Sequence, residues 1–230
     1  MKVLSTKITN KIVNAQAEAL RLDYTCLDFI EVVYVEYAPE AYPWEQYDTI
    51  IFTSSNAVEG YIQSREQAEL LRTKQIASLA GITRETLLSY GIEPILTASN
   101  SAQLAEDLIA KNNARSVLHP CGNLALDTLQ NTLVSRGIRY TPLIVYNTIL
   151  NPVQLRKNYD FILFYSPSGV ESFFFHNKLS PSTVCCCIGT TTAAALKEKD
   201  AEAKILIPEE TNPAAMLNIV SQYIANTTKA

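Results

Sequence analysis

Glycine is scarce in this chain, seven residues in 230, and none of the seven forms a GxGxxG or Walker-type loop, so a nucleotide cofactor has no motif to hold it. Histidine is scarcer still. His119 and His176 stand far apart, which argues against a histidine metal site and leaves little room for a Ser-His-Asp triad. The five cysteines (Cys26, Cys121 and the run Cys185-Cys186-Cys187) show no CxxC spacing. Neighbours on a strand point to opposite faces, so the run cannot chelate one metal and reads as a buried strand using Cys as a small hydrophobe. No apolar run approaches a membrane span, and the apolar part of MKVLSTKITN is too short for a secretory signal. A net charge of −4 gives no sign of a nucleic-acid or membrane binder. The expectation is a cytoplasmic protein with no metal, no cofactor, and neither nucleic acid nor membrane as partner.

What is present is ordinary globular material, 47% apolar and 18% charged, enough for one large domain or two small ones. One sentence is written twice. Residues 47–62, YDTIIFTSSNAVEGYI, and residues 159–174, YDFILFYSPSGVESFF, agree at seven of sixteen positions. In each copy a short apolar run of strand length is followed by small polar residues and then by helical spacing. Asn56 with Glu59, and Ser168 with Glu171, are spaced as capping boxes. Each copy therefore predicts strand, tight polar loop, helix N-terminus, the arrangement with which α/β folds bind anions. Two readings stand for Ser54, Ser55, Ser166 and Ser168: helix caps alone, or caps within a ligand-binding loop.

The repeat extends. Leu79-Ala80-Gly81-Ile82-Thr83 answers Cys187-Ile188-Gly189-Thr190-Thr191, and Lys2-Val3-Leu4-Ser5 answers Ser116-Val117-Leu118-His119. Helices are expected to about Leu22, from Asn123 to Arg136, from Ser101 to Ile109, and from Asn212 to Val220 with Pro213 in the tolerated first turn. Strands alternating with helices throughout predict parallel sheets with helices on both faces. Two units of about 110 residues follow, but periodicity does not decide whether the extended stretches near 28–37 and 140–149 belong to them or cross between them.

FTSSNAVEG (52–60), HPCGNLALDTL (119–129), VYNT (145–148), FYSPSGVESF (164–173) and IGTTTAAAL (188–196) resemble, in order and spacing, the motifs of the uroporphyrinogen-III synthase family. The resemblance covers nearly the whole chain. It implies two flavodoxin-like α/β lobes joined by a two-stranded linker: residues 1–33 with 151–230, residues 38–146, and crossings at 34–37 and 147–150. It also implies a reaction without cofactor or metal. Hydroxymethylbilane, a linear tetrapyrrole, loses its hydroxyl as water, closes through a spiro intermediate and yields uroporphyrinogen III with ring D inverted. The substrate is the implied partner, hydroxymethylbilane synthase the implied pathway neighbour, and a monomer the implied state. Without the motif series, a two-lobed cytosolic protein that binds or senses a small anion would be the reading.

Carried over residue by residue, the resemblance gives Tyr146 as candidate general acid, with Thr191 and Thr192 as a threonine pair of which one faces substrate and the other caps the helix. A linker-strand tyrosine that anchors the lobes is the alternative for Tyr146. Substrate binding is expected between the lobes, from Thr53, Ser54, Ser55 and Asn56; from Gly81 and Thr83; from Cys121, Gly122 and Asn123; from Ser166, Pro167, Ser168 and Gly169; and from Gly189 and Thr190. Gly122 is expected to serve backbone approach rather than Cys121 reactivity. Ile82 departs from the polar residue the family often has there. Lys7 is either a cationic helper or a solvated surface lysine.

Overall fold

A computed structural model describes residues 1–38, 41–111 and 114–227. Strands and helices alternate: β1 (Lys2–Ser5), α1 (Lys11–Ala19), β2 (Asp23–Cys26), β3 (Ile30–Tyr34), β4 (Thr49–Phe52), α2 (Ser55–Tyr61), α3 (Arg65–Leu71), β5 (Gln75–Leu79), α4 (Ile82–Ser89), β6 (Leu96–Ala98) and α5 (Ser101–Lys111). They continue as β7 (Ser116–Gly122), α6 (Thr128–Ser135), β8 (Arg139–Leu150), β9 (Phe161–Phe164), α7 (Pro167–His176), β10 (Val184–Cys187), α8 (Thr190–Lys199), β11 (Lys204–Leu206) and α9 (Pro213–Thr227). The chain divides into two compact units, residues 1–31 with 149–230 and residues 32–148. It leaves the first within β3 and returns within β8.

The first unit is a sheet in the order β11-β10-β9-β1-β2, parallel throughout. α7 and α8 cover one face over Leu4, Phe164, Cys185 and Cys187, while α1 and α9 cover the other over Val3, Leu163 and Cys186. The cysteine run is thus a buried strand that feeds both cores alternately. Burial pushes the Cys186 and Cys187 thiols up to about 12, so they pack as small apolar groups. The second unit is a sheet in the order β3-β8-β7-β4-β5-β6. α2, α3 and α4 cover Ile50, Phe52 and Ile76, and α5 and α6 cover Ile51, Ala77 and Val117. Full burial of each of the valine, isoleucine and phenylalanine side chains is worth about 1.5–3 kcal/mol.

The two sheets share one plan. β9, β1, β2, β10 and β11 take the places held by β4, β7, β8, β5 and β6. The register agrees residue for residue: Val3 lies opposite Tyr24 and Phe161, as Val117 lies opposite Tyr140 and Thr49. The repeated Tyr-Asp has a structural reason. Asp160 Oδ2 accepts the Lys2 N–H at 2.7 Å, and Asp48 Oδ2 accepts the Arg115 and Ser116 N–H groups at 2.9 and 3.1 Å. Each aspartate thus pins the start of the adjacent strand, and with it the register.

Several boundaries differ from the expectation. The caps of α2 and α7 are Ser54, which accepts from Asn56 N, and Ser166, which accepts from Gly169 N; they are not Asn56 and Ser168. Glu59 does not close a box; its carboxylate accepts from the Tyr34 hydroxyl. A capping box does form at Ser64 and Gln67, opening α3. α1 ends at Ala19, before Leu22, because Arg21 adopts φ 55° and the Arg21 and Leu22 N–H groups return to Glu18 and Ala17 carbonyls, a Schellman closure. α6 begins at Thr128 instead of Asn123, because the Asn123 side chain is occupied. Its Oδ1 accepts Thr148 N at 2.8 Å and its backbone N–H bonds Tyr146 O, which extends the β7–β8 pairing past the strand end.

Candidate active site

Parallel strands bring their loops to one edge of each sheet, so the motif residues gather at two carboxyl edges. In the second unit these are residues 53–56 after β4, 81–83 after β5, 121–123 at the end of β7, and Tyr146 on β8. In the first unit they are Lys7 after β1, residues 166–169 after β9, and 189–192 after β10.

Each edge has one capped and one uncapped helix. Ser54 and Ser166 satisfy amides of α2 and α7. α4 and α8 begin at Gly81 and Gly189 with no side-chain cap. The amides of residues 82–84 and 190–192 therefore have no partner among the described residues, and unsatisfied first-turn amides at the positive end of a helix attract anions. Neither Thr191 nor Thr192 caps α8, contrary to expectation, because Gly189 occupies the cap position. Thr191 is exposed and Thr192 is buried. Thr83, which stands on α4 where Thr191 stands on α8, is buried, so the two edges differ at this place.

Tyr146 lies over Gly122. A Cβ on that glycine would stand 2.5 Å from the ring carbons, so only glycine leaves room for the phenol. Desolvation raises the Tyr146 pKa above the usual tyrosine value, opposed in part by a hydrogen bond with the Ser54 side chain. The phenol is protonated at neutral pH and carries a proton to give. Cys121, beside Gly122 in sequence, is 2% exposed with its thiol pushed up to about 11 by burial. Only its backbone is available at the edge. The Lys7 ammonium is exposed and has no partner among the described residues.

Side chains that sequence reasoning left out approach these edges from within the sheets. His119, 2% exposed, holds Thr53 Oγ1 at 2.9 Å and the Tyr140 hydroxyl at 2.6 Å. In the first unit Ser5 Oγ donates to the Tyr165 hydroxyl at 3.3 Å, and Tyr24 lies beside both. The signal was present: aligning the repeats places Tyr165 on Thr53 and Ser5 on His119. A cavity of about 400 Å³ lined by Tyr159, Thr183, His176, Arg156, Lys157 and Lys178 is elsewhere. It opens at the amino edge of β9 and β10, away from the carboxyl-edge loops.

The architecture, two α/β units built on mainly parallel sheets, is shared with solved structures of one enzyme class. A mutant uroporphyrinogen III synthase from the extremely thermophilic bacterium Thermus thermophilus is similar over 98% of this chain and 99% of its own, with TM-score 0.68 and 18% identity. The uroporphyrinogen-III synthetase of Helicobacter pylori is similar over 96% and 99%, with TM-score 0.69 and 19% identity. The wild-type Thermus thermophilus enzyme in another crystal form gives TM-score 0.55 at 20% identity over 99% of both chains. At these identities the likeness is one of fold. No curated protein sequence matches. The family described as Uroporphyrinogen-III synthase HemD matches residues 14–218, and the chain belongs to that family of cyclising lyases of tetrapyrrole biosynthesis.

Proposed function

We propose that this chain converts hydroxymethylbilane to uroporphyrinogen III, with Tyr146 donating to the departing hydroxyl and the two carboxyl edges binding substrate carboxylates. The observation that carries the reading is the family match across residues 14–218. The site supports it by the kind of work it can do. The substrate cyclises unaided to the wrong isomer, so holding its ends in one geometry is the main task, and proximity is the effect the fold is suited to supply. The amides of residues 82–84 and 190–192 suit a polycarboxylate in a chain whose net charge is −4. Backbone dipoles bind anions without a surplus of cationic side chains.

A phenol held above its usual pKa is a weak acid. It serves here because the C–O bond breaks with strong assistance from the pyrrole, whose electrons form the azafulvene. Hydrogen bonding to the leaving oxygen then needs only to finish the transfer, a contribution of about 10²–10⁴-fold. Ring D attacks the azafulvene carbon, and the spiro intermediate fragments and recloses. Thr191 and the loops 53–56 and 166–169 hold the peripheral carboxylates meanwhile. The same reading makes the enzyme a cytoplasmic monomer acting after hydroxymethylbilane synthase.

The test is to supply enzymatically generated hydroxymethylbilane and resolve the product isomers. Isomer III in excess is the expected outcome. Isomer I alone, at the rate of the protein-free reaction, would overturn catalysis and leave anion binding as the function.

A further inference from the structure

Tyr140 on β8, His119 on β7 and Thr53 just past β4 stand on three adjacent strands, on the face packed by α5 and α6. Together they form a polar row that runs from within the sheet to the carboxyl edge. His119 Nδ1 is 2.6 Å from the Tyr140 hydroxyl and Nε2 is 2.9 Å from Thr53 Oγ1. Burial draws the imidazole down to about 4, so at neutral pH it carries one N–H and not two.

Which nitrogen carries that proton decides what Thr53 can do. If Nδ1 is protonated it donates to Tyr140, and the phenol proton is left without an acceptor among the described residues. Thr53 must then spend its own proton on Nε2 and can only accept from a ligand. If Nε2 is protonated, the phenol donates to Nδ1, Nε2–H donates to Thr53 Oγ1, and the Thr53 proton is free to point outward. Every donor in the row is then used or presented, and buried donors are rarely left unused. A 2.6 Å separation also suits a phenol donating to an imidazole nitrogen.

We propose that His119 is a positioning residue which, as the Nε2–H tautomer locked by Tyr140, fixes Thr53 as an outward hydrogen-bond donor to a carboxylate of the substrate. The inference rests on the function proposed above for its ligand, but its geometry stands apart from turnover. The row recurs in the first unit. By the strand registers Tyr24, Ser5 and Tyr165 occupy the places of Tyr140, His119 and Thr53, and they too are joined by side-chain hydrogen bonds. There the central residue is a serine, which has no tautomer to choose and whose hydroxyl is also in reach of the Lys7 carbonyl, and the edge residue is a phenol.

The direct test is a long-range proton–nitrogen NMR correlation on the nitrogen-15-labelled full chain. It has only two histidines, and a His176→Gln variant assigns them. His119 is expected as a single Nε2–H tautomer, and Tyr140→Phe should release it to a mixture. An Nδ1–H tautomer in the wild-type chain would overturn the proposal. In kinetics, His119→Leu should raise KM roughly tenfold, about the worth of one hydrogen bond to a charged group, with kcat little changed. His119→Gln, whose amide can donate to Thr53, should recover most of that, and Thr53→Val should add nothing to His119→Leu. Equal losses in the Leu and Gln variants would also overturn it. A wild-type chain that makes no isomer III would refute the proposed function, while the tautomer spectrum would still decide the role of His119.

Discussion

The two units show which parts of a repeated fold can vary and which cannot. Both keep the strand order, the aspartate that sets strand register (Asp160, Asp48), one serine-capped helix (Ser166, Ser54) and one uncapped helix (Gly189, Gly81). They differ in what they present. The second unit adds Tyr146 over Gly122 and puts His119 behind Thr53. The first has Ser5 behind Tyr165, and after β2 it offers Asp28, whose carboxylate accepts Ile8 N, with Phe29 fully buried. An uncapped helix N-terminus at the carboxyl edge is common to both. The candidate acid belongs to one, so under the proposed function chemistry falls to the second unit and holding to the first.

The largest effect expected concerns independence. The second unit is continuous in sequence and both its cores close within residues 47–145. A chain of residues 30–150 should therefore unfold cooperatively in urea, whereas residues 1–31 alone should show no transition, since β1 and β2 pack on strands beyond residue 160. An unfolded 30–150 fragment would mean that the two units depend on each other despite their separate cores. Next in size is the chemistry. Tyr146→Phe should lower kcat by about 10²–10⁴ with KM nearly kept, while Tyr165→Phe and Tyr24→Phe in the first unit should stay within tenfold. Gly122→Ala should approach the Tyr146→Phe loss, because the new methyl takes the place of the ring, and should cost about 1–3 kcal/mol of stability. Gly189→Ala meets nothing within 4 Å on extended backbone and should leave stability within about 0.5 kcal/mol. Matching losses in the first-unit tyrosines would break the division of labour.

The repeat made the sheets, the loops and the glycine turns readable, though not that the turn before α8 lacks a side-chain cap, because strand length, polar loop and helical spacing are local signals. The cap positions were misread by two residues. Asn56 and Ser168 have the right spacing to Glu59 and Glu171, but the helices begin sooner, at Ser55 and Pro167, and Ser54 and Ser166 reach the amides first. Asn123 looked like a helix start; its side chain is instead tied to Thr148, a contact between two strands that sequence spacing does not announce. His119 looked like an isolated histidine, because its partners are 66 and 21 residues away and meet it only through the order β8-β7-β4. Tyr146 was named a candidate from the motif alone; what the motif did not show is its ring packed against Gly122.

The third effect separates the rows by pH. An imidazole held near 4 when folded, against an ordinary value near 6.5 when unfolded, means that the unfolded chain binds more protons between those values. Stability is full above about 6.5 and is lost as pH falls towards 4, by as much as about 3 kcal/mol. The Ser5 row contributes no such slope. Chemical denaturation of the wild-type chain and of His119→Gln at pH 7 and pH 4.5 should show the extra loss in the wild type only. Parallel losses would mean that His119 is more easily protonated in place than its burial implies.

The smallest effect separates two residues that do the same structural work. Ser54→Ala and Ser166→Ala each remove a helix cap and should each cost about 1 kcal/mol, read from urea midpoints at constant slope. Their kinetics should diverge. Ser54 also hydrogen-bonds the Tyr146 side chain, whereas Ser166 shares its hydroxyl with Ser168. Losing the bond at Ser54 frees the phenol to leave its orientation over Gly122, so Ser54→Ala should lower kcat several-fold beyond Ser166→Ala at equal stability. In a Tyr146→Phe background that difference should vanish, since there is no hydroxyl left to orient. A Ser166→Ala variant that loses more kcat than Ser54→Ala would move the chemistry to the first unit, and the roles of the two edges would have to be exchanged.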